Sequence, residues 1–591
     1  MAKFTLYFIL LSMQNRPLRC FIAATFSALT VGLAHAQPME GSEFDALFDE
    51  AGPVLQDNLP PDSNLQILEP EAPQHIATSI LQVEMQPFNS RRADLVDLLQ
   101  LTPEQVVING QPVRLNYPER TATFYYTKIF PTIWSQENAL LAPVSALQAA
   151  IAGAEQDALP PARYHQAIIA GLAPGQEYPD IIAYELLLTD AYLTLAGDLA
   201  NGLVDPKKTH PTWNALQVSD TELGEMLARG IRDNNLQGEL DALNANNIRY
   251  QALKQQYNAQ RGGGLPVVTP DLPAVTLKPG MVHPAVAILR AKVGAPGQDT
   301  LYDAELAEIV KAYQSNLGMQ ADAVVGAGTR RHMNGGAGGG ASLDSLKINM
   351  ERQRWMPQNE GASYILANIP SYRVQMFRDS AVIYDTKAIV GRKDRQTPAF
   401  TDRMRHIVMS PTWTVPPTIL KKDKLPQLRS NPGAFNGSFE VVTPGGRVVK
   451  PSDVNWSAVN PSNYALRQKP GGRNALGRVK FLFPNKHAIY LHDTPSKGLF
   501  NRDNRALSSG CIRLQDPMEF AEILLQGTEW TPEKIKTASH QSKERWVNPP
   551  EETPIYLVYW TLWADLHGQI HTSPDIYGLD NTLLNQYNSA L

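Results

Sequence analysis

Cysteine is nearly absent. The 591 residues hold two, Cys20 and Cys511, which excludes a disulfide-stapled scaffold and any zinc site built on several thiolates. An excess of positive charge is missing as well. With a net charge of −5 and a pI near 6.2, the counterion release that drives nucleic-acid binding has no source, so no nucleic acid is expected as a partner. No fixed repeat period runs through the chain. Its 40 glycines and 45 prolines, among 43% hydrophobic and 19% charged residues, make a globular composition rather than a fibrous or low-complexity one. At roughly 150 residues per domain the length predicts about four units.

Residues 1–36 carry Arg16 and Arg19, an apolar stretch from Cys20 to Leu33, and the small-residue triplet Ala34-His35-Ala36. That is the order of a secretory signal peptide, and it predicts export with cleavage. The run 4–13 ahead of the arginines makes Met13 an alternative start. An uncleaved anchor is the other reading; after cleavage no membrane span is expected. Cys20 lacks a lipoprotein setting and leaves with the signal. Cys511 then stands alone in an oxidising compartment, where a lone thiol needs a reason to exist.

Residues 37–75 hold nine acidic residues and no Lys or Arg, an acidic Pro-rich tether. From 76 to 260 the spacing of Leu140, Val144, Leu147 and Ile151, and a second run from Leu186 to Leu199, predict an α-helical bundle. Breakers over 261–276 read as a linker. Residues 277–334 predict three short helices. The best of them runs from an Asp303 N-cap to Gly318 with Leu306, Ile309, Val310, Tyr313 and Leu317 on one stripe, and Pro284 opens another at its first helical position. A glycine-rich joint covers 335–342.

Beyond it, over 343–541, short β-branched and aromatic runs between turn residues predict a β-rich, sandwich-like domain. Its runs are 364–369, 373–377, 381–384, 387–390, 406–409, 479–483 and 488–492. A long irregular insertion, 425–475, interrupts it. Residues 542–591 add a strong strand, 556–560, that returns to complete an earlier domain.

The chemistry concentrates late. In 488–492 the alternation puts Tyr490 and His492 on one strand face and Ile489 and Leu491 on the other. After fifteen intervening residues His492 is followed by Ser508-Ser509-Gly510-Cys511-Ile512-Arg513. Asp516, Pro517 and Glu519 then predict a capping box and a helix to about Gln526. Gly510 lets the backbone approach a ligand, and nearby amides could face an oxyanion. A thiol attacks as thiolate, with His492 and Arg513 as the available base and cation. An inert core thiol beside a surface histidine, and zinc held by His492, Asp493 and Cys511, are the competing readings.

These residues resemble the signature of the L,D-transpeptidase (YkuD) catalytic-domain family: His, a 14–17 residue gap, Ser/Thr, His, Gly, Cys, any residue, Asn/Arg. Ser509 departs from the usual histidine as in the large scaffolded, YcbB-like branch. Further stretches resemble that branch: Asn349-Met350-Glu351-Arg352 with Arg354-Trp355, Val390-Gly391 with Thr397-Pro398, 410–416, 554–563, and Asp575-Ile576-Tyr577-Gly578. So do Asp198-Leu199 with 202–206 in the helical region. Residues 277–334 are similar to a small three-helix peptidoglycan-binding domain, and 425–475 to a capping subdomain over the active-site groove.

The resemblance implies a multidomain α+β protein: a β-rich catalytic domain, an α-helical scaffold and the three-helix binding unit. It implies a periplasmic cysteine transpeptidase that expels D-alanine from tetrapeptide stems and forms 3→3 peptidoglycan cross-links through a thioester, without cofactor or metal. Peptidoglycan stem peptides and glycan strands are then the partners, a D,D-carboxypeptidase a supplier of tetrapeptides, and carbapenems covalent inhibitors. Cys511 would be the nucleophile, His492 the base, the Asp493 carbonyl or a carbonyl near Cys511 its orienter, and the Gly510 and Cys511 amides the oxyanion site, with Ser509 in the catalytic loop. Arg513, Tyr490 and Ser508 would line the substrate; Arg513 as an ion-pair partner and Tyr490 as simple packing are the alternatives. Trp413 reads as core. Water, a free D-amino acid or a lipoprotein lysine are alternative acceptors, and a non-catalytic wall-binding scaffold is the reading from another class.

Overall fold

The computed structural model describes residue 95 and residues 104–127, 132–262, 272–316, 321–333 and 341–590. The export segment, the tether 37–75, Cys20, Leu317, Gly318 and most of both glycine-rich joints lie outside the described residues. Those described divide into two compact units, 414–468 and the remainder. Among them no helix is long and apolar enough to cross a membrane.

The helical region is built around Ile181–Asn201, whose residues 181–200 are all buried, as a helix apolar on every side requires. Its acidic side chains are paired. Asp198 takes the Arg163 guanidinium at 2.6 Å, and Asp190 accepts the amides of Asn116 and Tyr117 at 2.9 and 2.8 Å. The helix Pro143–Gly153 buries Val144, Leu147 and Ile151. Leu140 falls instead in the strand Ala139–Leu140, because Pro143 opens the helix after it. Nor is the region wholly helical: Gln105–Ile108 and Gln111–Arg114 form a hairpin whose Asn109 and Gly110 both have positive φ, the conformation a two-residue turn needs.

The helices Ala285–Lys292, Ala304–Asn316 and Ala327–Met333 close a separate small core of Val286, Leu289, Leu306, Val310 and Val325. Asp303 Oδ1 accepts the Leu306 amide at 2.8 Å, so the N-cap forms as its sequence dictates. Pro284 stands at the cap of its helix rather than inside the first turn.

Two sequence motifs meet in the next helix, Leu343–Arg354. Glu351 and Arg354, both fully buried, pair at 2.9 Å, and Glu351 Oε1 also accepts the Val204 amide at 2.7 Å. Gly202, at φ +88°, passes so close that a Cβ there would lie 2.5 Å from the Glu351 carboxylate. Arg354 donates to the Tyr250 hydroxyl at 2.9 Å and to the Asp157 carbonyl, and Arg352 pairs with Asp580 at 2.7 Å. This helix therefore binds the scaffold to the chain's last helix, Asp580–Ser589.

The β-rich part is one hydrogen-bonded path of ten strands, in which Phe400 near one end and Phe483 near the other bring their ring centroids within 6.1 Å. Its order is Arg545–Val547, His406–Met409, Val479–Leu482, Leu491–His492, Ile512–Leu514, Ala381–Gly391, Arg373–Arg378, Ser363–Asn368, Thr553–Val558 and Phe400–Met404, with Ala506–Ser508 beside Ala381–Gly391. The runs 381–384 and 387–390 are thus a single strand. Thr553–Val558 lies parallel to Ser363–Asn368 and antiparallel to Phe400–Met404, so the C-terminal segment enters this sheet. The helix Pro517–Leu524 follows Asp516 without the capping box; the Asp516 carboxylate accepts from Thr386 Oγ1 at 3.0 Å instead.

Residues 414–468 are ordered by a core of their own rather than irregular. Phe439–Val442 pairs with Val448–Val449 and with Ala465–Gln468. Buried Trp456 donates its indole N–H to the Pro451 carbonyl at 2.9 Å.

Candidate active site

Strand register gathers the candidate residues. His492 lies opposite Arg513 in a parallel pair and opposite Lys480 in an antiparallel one. Register partners project to the same side, and residues two apart along a strand do too. One face of these three strands therefore carries Lys480, His492, Arg513 and, by continuation, Cys511. The opposite face carries Phe481, Leu491 and Ile512, all fully buried. The core fixes which way the polar set points, since a one-residue slip would turn those apolar side chains outward.

The strand holding His492 is shorter than its alternation predicts. It comprises Leu491–His492, because Asn485 folds the preceding residues into a turn: its side chain accepts the His487 and Ile489 amides at 3.0 and 3.2 Å and donates to the Phe483 and Ile489 carbonyls. Ala488 is left at φ +51°. Tyr490 still shares the His492 side, with ring centroids 5.7 Å apart.

His492 is buried. Its Nδ1 lies 2.5 Å from the Asp493 carbonyl oxygen; a carbonyl only accepts, so Nδ1 carries the proton and Nε2 is left as the basic nitrogen. Burial foremost, then the charges of Arg513, Lys480 and Lys497, hold the imidazole down to about 3, against the Asp493 bond that favours the charged form. It rests neutral. Asp493 is itself pinned: its amide donates to Val479 O at 2.9 Å, its carboxylate accepts the Arg478 amide at 2.8 Å and meets Lys497 at 2.7 Å. Gly477, at φ +62°, leaves room for that carboxylate, into which a Cβ would collide.

Cys511 is half-buried. Crowding by its surroundings pushes the thiol up to about 11, although hydrogen bonds from Tyr490 and the Arg513 charge act the other way. Its own hydrogen bond goes to the Ala488 carbonyl at 3.5 Å, not to His492. The strands thus place Cys511 and His492 on one face, both neutral, rather than as a preformed ion pair.

The loop before Cys511 departs from expectation in two ways. Ser508, read as a substrate contact, is buried, and its hydroxyl donates to the Cys511 carbonyl at 2.7 Å while accepting the Gly510 amide at 3.1 Å. It braces the turn before Cys511. The Gly510 amide is spent there, so the oxyanion expectation narrows to the Cys511 amide. Gly510 sits at φ +123°, where glycine alone is comfortable. Ser509 is exposed and accepts from Arg395 at 3.1 Å. Arg513 has no carboxylate within ion-pair distance among the described residues, and its buried Nε lacks a hydrogen-bond partner there. Trp413 is half-buried rather than core, because its strand is only Trp413–Thr414, and its indole reaches the Tyr490 hydroxyl.

A neutral thiol, a correctly protonated imidazole on the same strand face, an adjacent cation and a bent glycine turn fit nucleophilic acyl transfer. Residues 362–535 match the L,D-transpeptidase catalytic domain (YkuD). Residues 119–256 match the family model named Scaffold domain. An L,D-transpeptidase-like region thus follows a scaffold region in one multidomain α+β chain. Over 240 residues the chain is 36% identical to a putative L,D-transpeptidase of Haemophilus influenzae, a match covering 40% of this chain and 48% of that protein; the chain spans about half the length of this curated relative. A crystal structure of an L,D-transpeptidase (residues 123–326) from Xylanimonas cellulosilytica aligns at 14% identity over 49% of this chain and 98% of that one. Its TM-score of 0.16 carries no argument.

Within the transpeptidase-like region, sequence reasoning missed Lys480. A lone charge in the apolar run Val479–Phe483 was the available signal. Its buried ammonium lies 3.9 Å from Glu544 and 5.6 Å from the centre of the Trp546 ring.

Proposed function

We propose that the protein is a cysteine L,D-transpeptidase that forms 3→3 peptidoglycan cross-links. The observation carrying this is the single strand face that holds Cys511, His492 and Arg513, with the His492 tautomer set by Asp493 O, inside the stretch matched by the transpeptidase family. In this reading Cys511 Sγ attacks the carbonyl of the third stem residue as His492 Nε2 takes the thiol proton. The tetrahedral intermediate, held at the Cys511 amide, collapses to a thioester as His492 returns that proton to the departing D-alanine amine. A side-chain amine of a second stem then attacks the thioester, gives a proton to His492 and releases the thiol.

Arg513 serves the anionic side of the substrate, and Tyr490 lines it. Export to the periplasm, peptidoglycan binding by the 277–334 unit, tetrapeptides supplied by a D,D-carboxypeptidase and acylation of Cys511 by carbapenems belong to the same proposal. Mass spectrometry of muropeptides after incubating the purified chain with tetrapeptide-bearing peptidoglycan tests it. Cross-linked dimers that have lost one D-alanine should appear with the wild type and not with Cys511→Ala. Tripeptides without dimers would make water the acceptor, and an unchanged digest would overturn the enzymatic reading.

A further inference from the structure

Two stretches picked out in the sequence have no role in the chemistry above: Val390-Gly391 with Thr397-Pro398, and Asp575-Ile576-Tyr577-Gly578. The fold brings them together directly behind the nucleophile. Thr397 Oγ1 donates to the Gly510 carbonyl at 2.6 Å and accepts the Gly391 amide at 2.8 Å. The Thr397 amide donates to the Tyr577 hydroxyl at 3.1 Å, and that hydroxyl donates to the Gly391 carbonyl at 2.7 Å. The Tyr577 amide donates to the Tyr559 hydroxyl at 2.8 Å, which donates to Asp575 Oδ1 at 2.6 Å.

Each hydroxyl in this chain gives one hydrogen and receives one, so the direction of every bond is fixed from the carboxylate of Asp575 to the carbonyl of Gly510. There is little slack. Thr397, Tyr559 and Tyr577 are all buried, the rings of Tyr559 and Tyr577 stack at 5.4 Å, and a Cβ on Gly391 would lie 2.5 Å from the Thr397 nitrogen. Asp575 is anchored in turn by the amides of Gly578, Leu579 and Asp580 at 2.9–3.0 Å. His210 of the scaffold region lies 5.8 Å from the Tyr559 ring, and Arg352 of the helix Leu343–Arg354 lies 5.4 Å over it.

Gly510 has no side chain and a conformation that permits wide rotation, so the peptide linking it to Cys511 is oriented by what holds its carbonyl. That peptide also carries the Cys511 amide. We propose that Thr397 and Tyr577 are positioning residues for Cys511: their hydroxyls lock the Gly510 carbonyl to the C-terminal segment and thereby aim both the thiol and the amide beside it. This rests on the acyl-transfer reading for its catalytic consequence, but not for its structural one.

The test uses the full chain with Thr397→Val, Tyr577→Phe and Thr397→Ser. Turnover is measured on a disaccharide-tetrapeptide, and Cys511 reactivity by the pH profile of iodoacetamide alkylation. Thr397→Val and Tyr577→Phe should lower kcat by about 10- to 100-fold, the cost of misplacing a reacting group by about an ångström, with KM within about twofold. The alkylation profile should move to lower pH as the thiol is released from its crowded position. Thr397→Ser keeps the hydroxyl and should restore both. Melting temperatures identify any variant that merely fails to fold, and the two hydroxyl deletions act at different residues, so one remains to decide. Wild-type kcat and an unmoved profile in both deletions would overturn the proposal. So would a Thr397→Ser loss equal to that of Thr397→Val, since volume and not the hydroxyl would then be the cause. If the wild-type chain makes no cross-link, the substrate reading falls and the alkylation profile alone decides.

Discussion

The neutral resting pair makes a quantitative claim about thiol reactivity. A thiol held near 11 rather than its ordinary 9 has about 100-fold less thiolate at any pH below 9. The thiolate that forms is more basic and so intrinsically more nucleophilic, by roughly sixfold for a two-unit rise with a Brønsted slope near 0.4. The net expectation is alkylation by iodoacetamide about 15-fold slower than for an exposed thiol, with log rate rising by one per pH unit from 6 to 9.5 and no levelling. His492, held down to about 3, contributes no inflection in that range, so His492→Asn should leave the slope intact. A thiolate–imidazolium pair would behave oppositely, with a plateau extending down to the histidine's own titration. A plateau below pH 8 in the wild type, removed by His492→Asn, would refute the neutral-pair reasoning.

Gly477→Ala should cut kcat by about 100-fold, because the added Cβ drives into the Asp493 carboxylate and shifts the carbonyl that orients His492 by around an ångström; a nearly unchanged kcat from turnover assays would count against Asp493 as the orienter. Arg354→Met should destabilise the scaffold by roughly 3–5 kcal/mol, since it leaves the fully buried Glu351 carboxylate without its cation; urea denaturation measures this, and Glu351→Gln combined with Arg354→Met should recover part of the loss.

Local rules were legible where short-range physics decides the outcome. The stripe of Leu306 and Val310 was readable because helix period and an Asp cap agree, and the central helix because its leucines leave no polar side. The Asn109-Gly110 hairpin was equally readable from its turn dipeptide but sits amid helical signals. Asp516 shows the limit: a strong cap by type, it was drawn away by Thr386, a partner 130 residues distant. At the site, Cys511 and His492 stood out through the resemblance of the whole Ser508–Arg513 stretch to a family signature, spacing alone being weak evidence. What stayed hidden is set by pairing between distant strands. Lys480 joins His492 only through antiparallel register, and Thr397 reaches Gly510, and Tyr577 Gly391, across more than 100 residues. That the Ser508 hydroxyl turns inward to the Cys511 carbonyl, while Ser509 faces out, is likewise hidden, because sequence does not reveal which of two neighbouring serines turns inward.

The strand Thr553–Val558 has a consequence for how the molecule comes into being. It fills the gap between Ser363–Asn368 and Phe400–Met404, so a nascent chain emerging from its N-terminus cannot finish this sheet until residues 553–558 have been delivered. Until then two strands with apolar faces present open edges, the condition that invites pairing with the wrong chain. The same holds for a recombinant fragment trimmed to the stretch 362–535 that the family match delimits. It would carry Cys511 and His492 and yet expose both edges, a poor starting material for biochemistry and a natural substrate for chaperones.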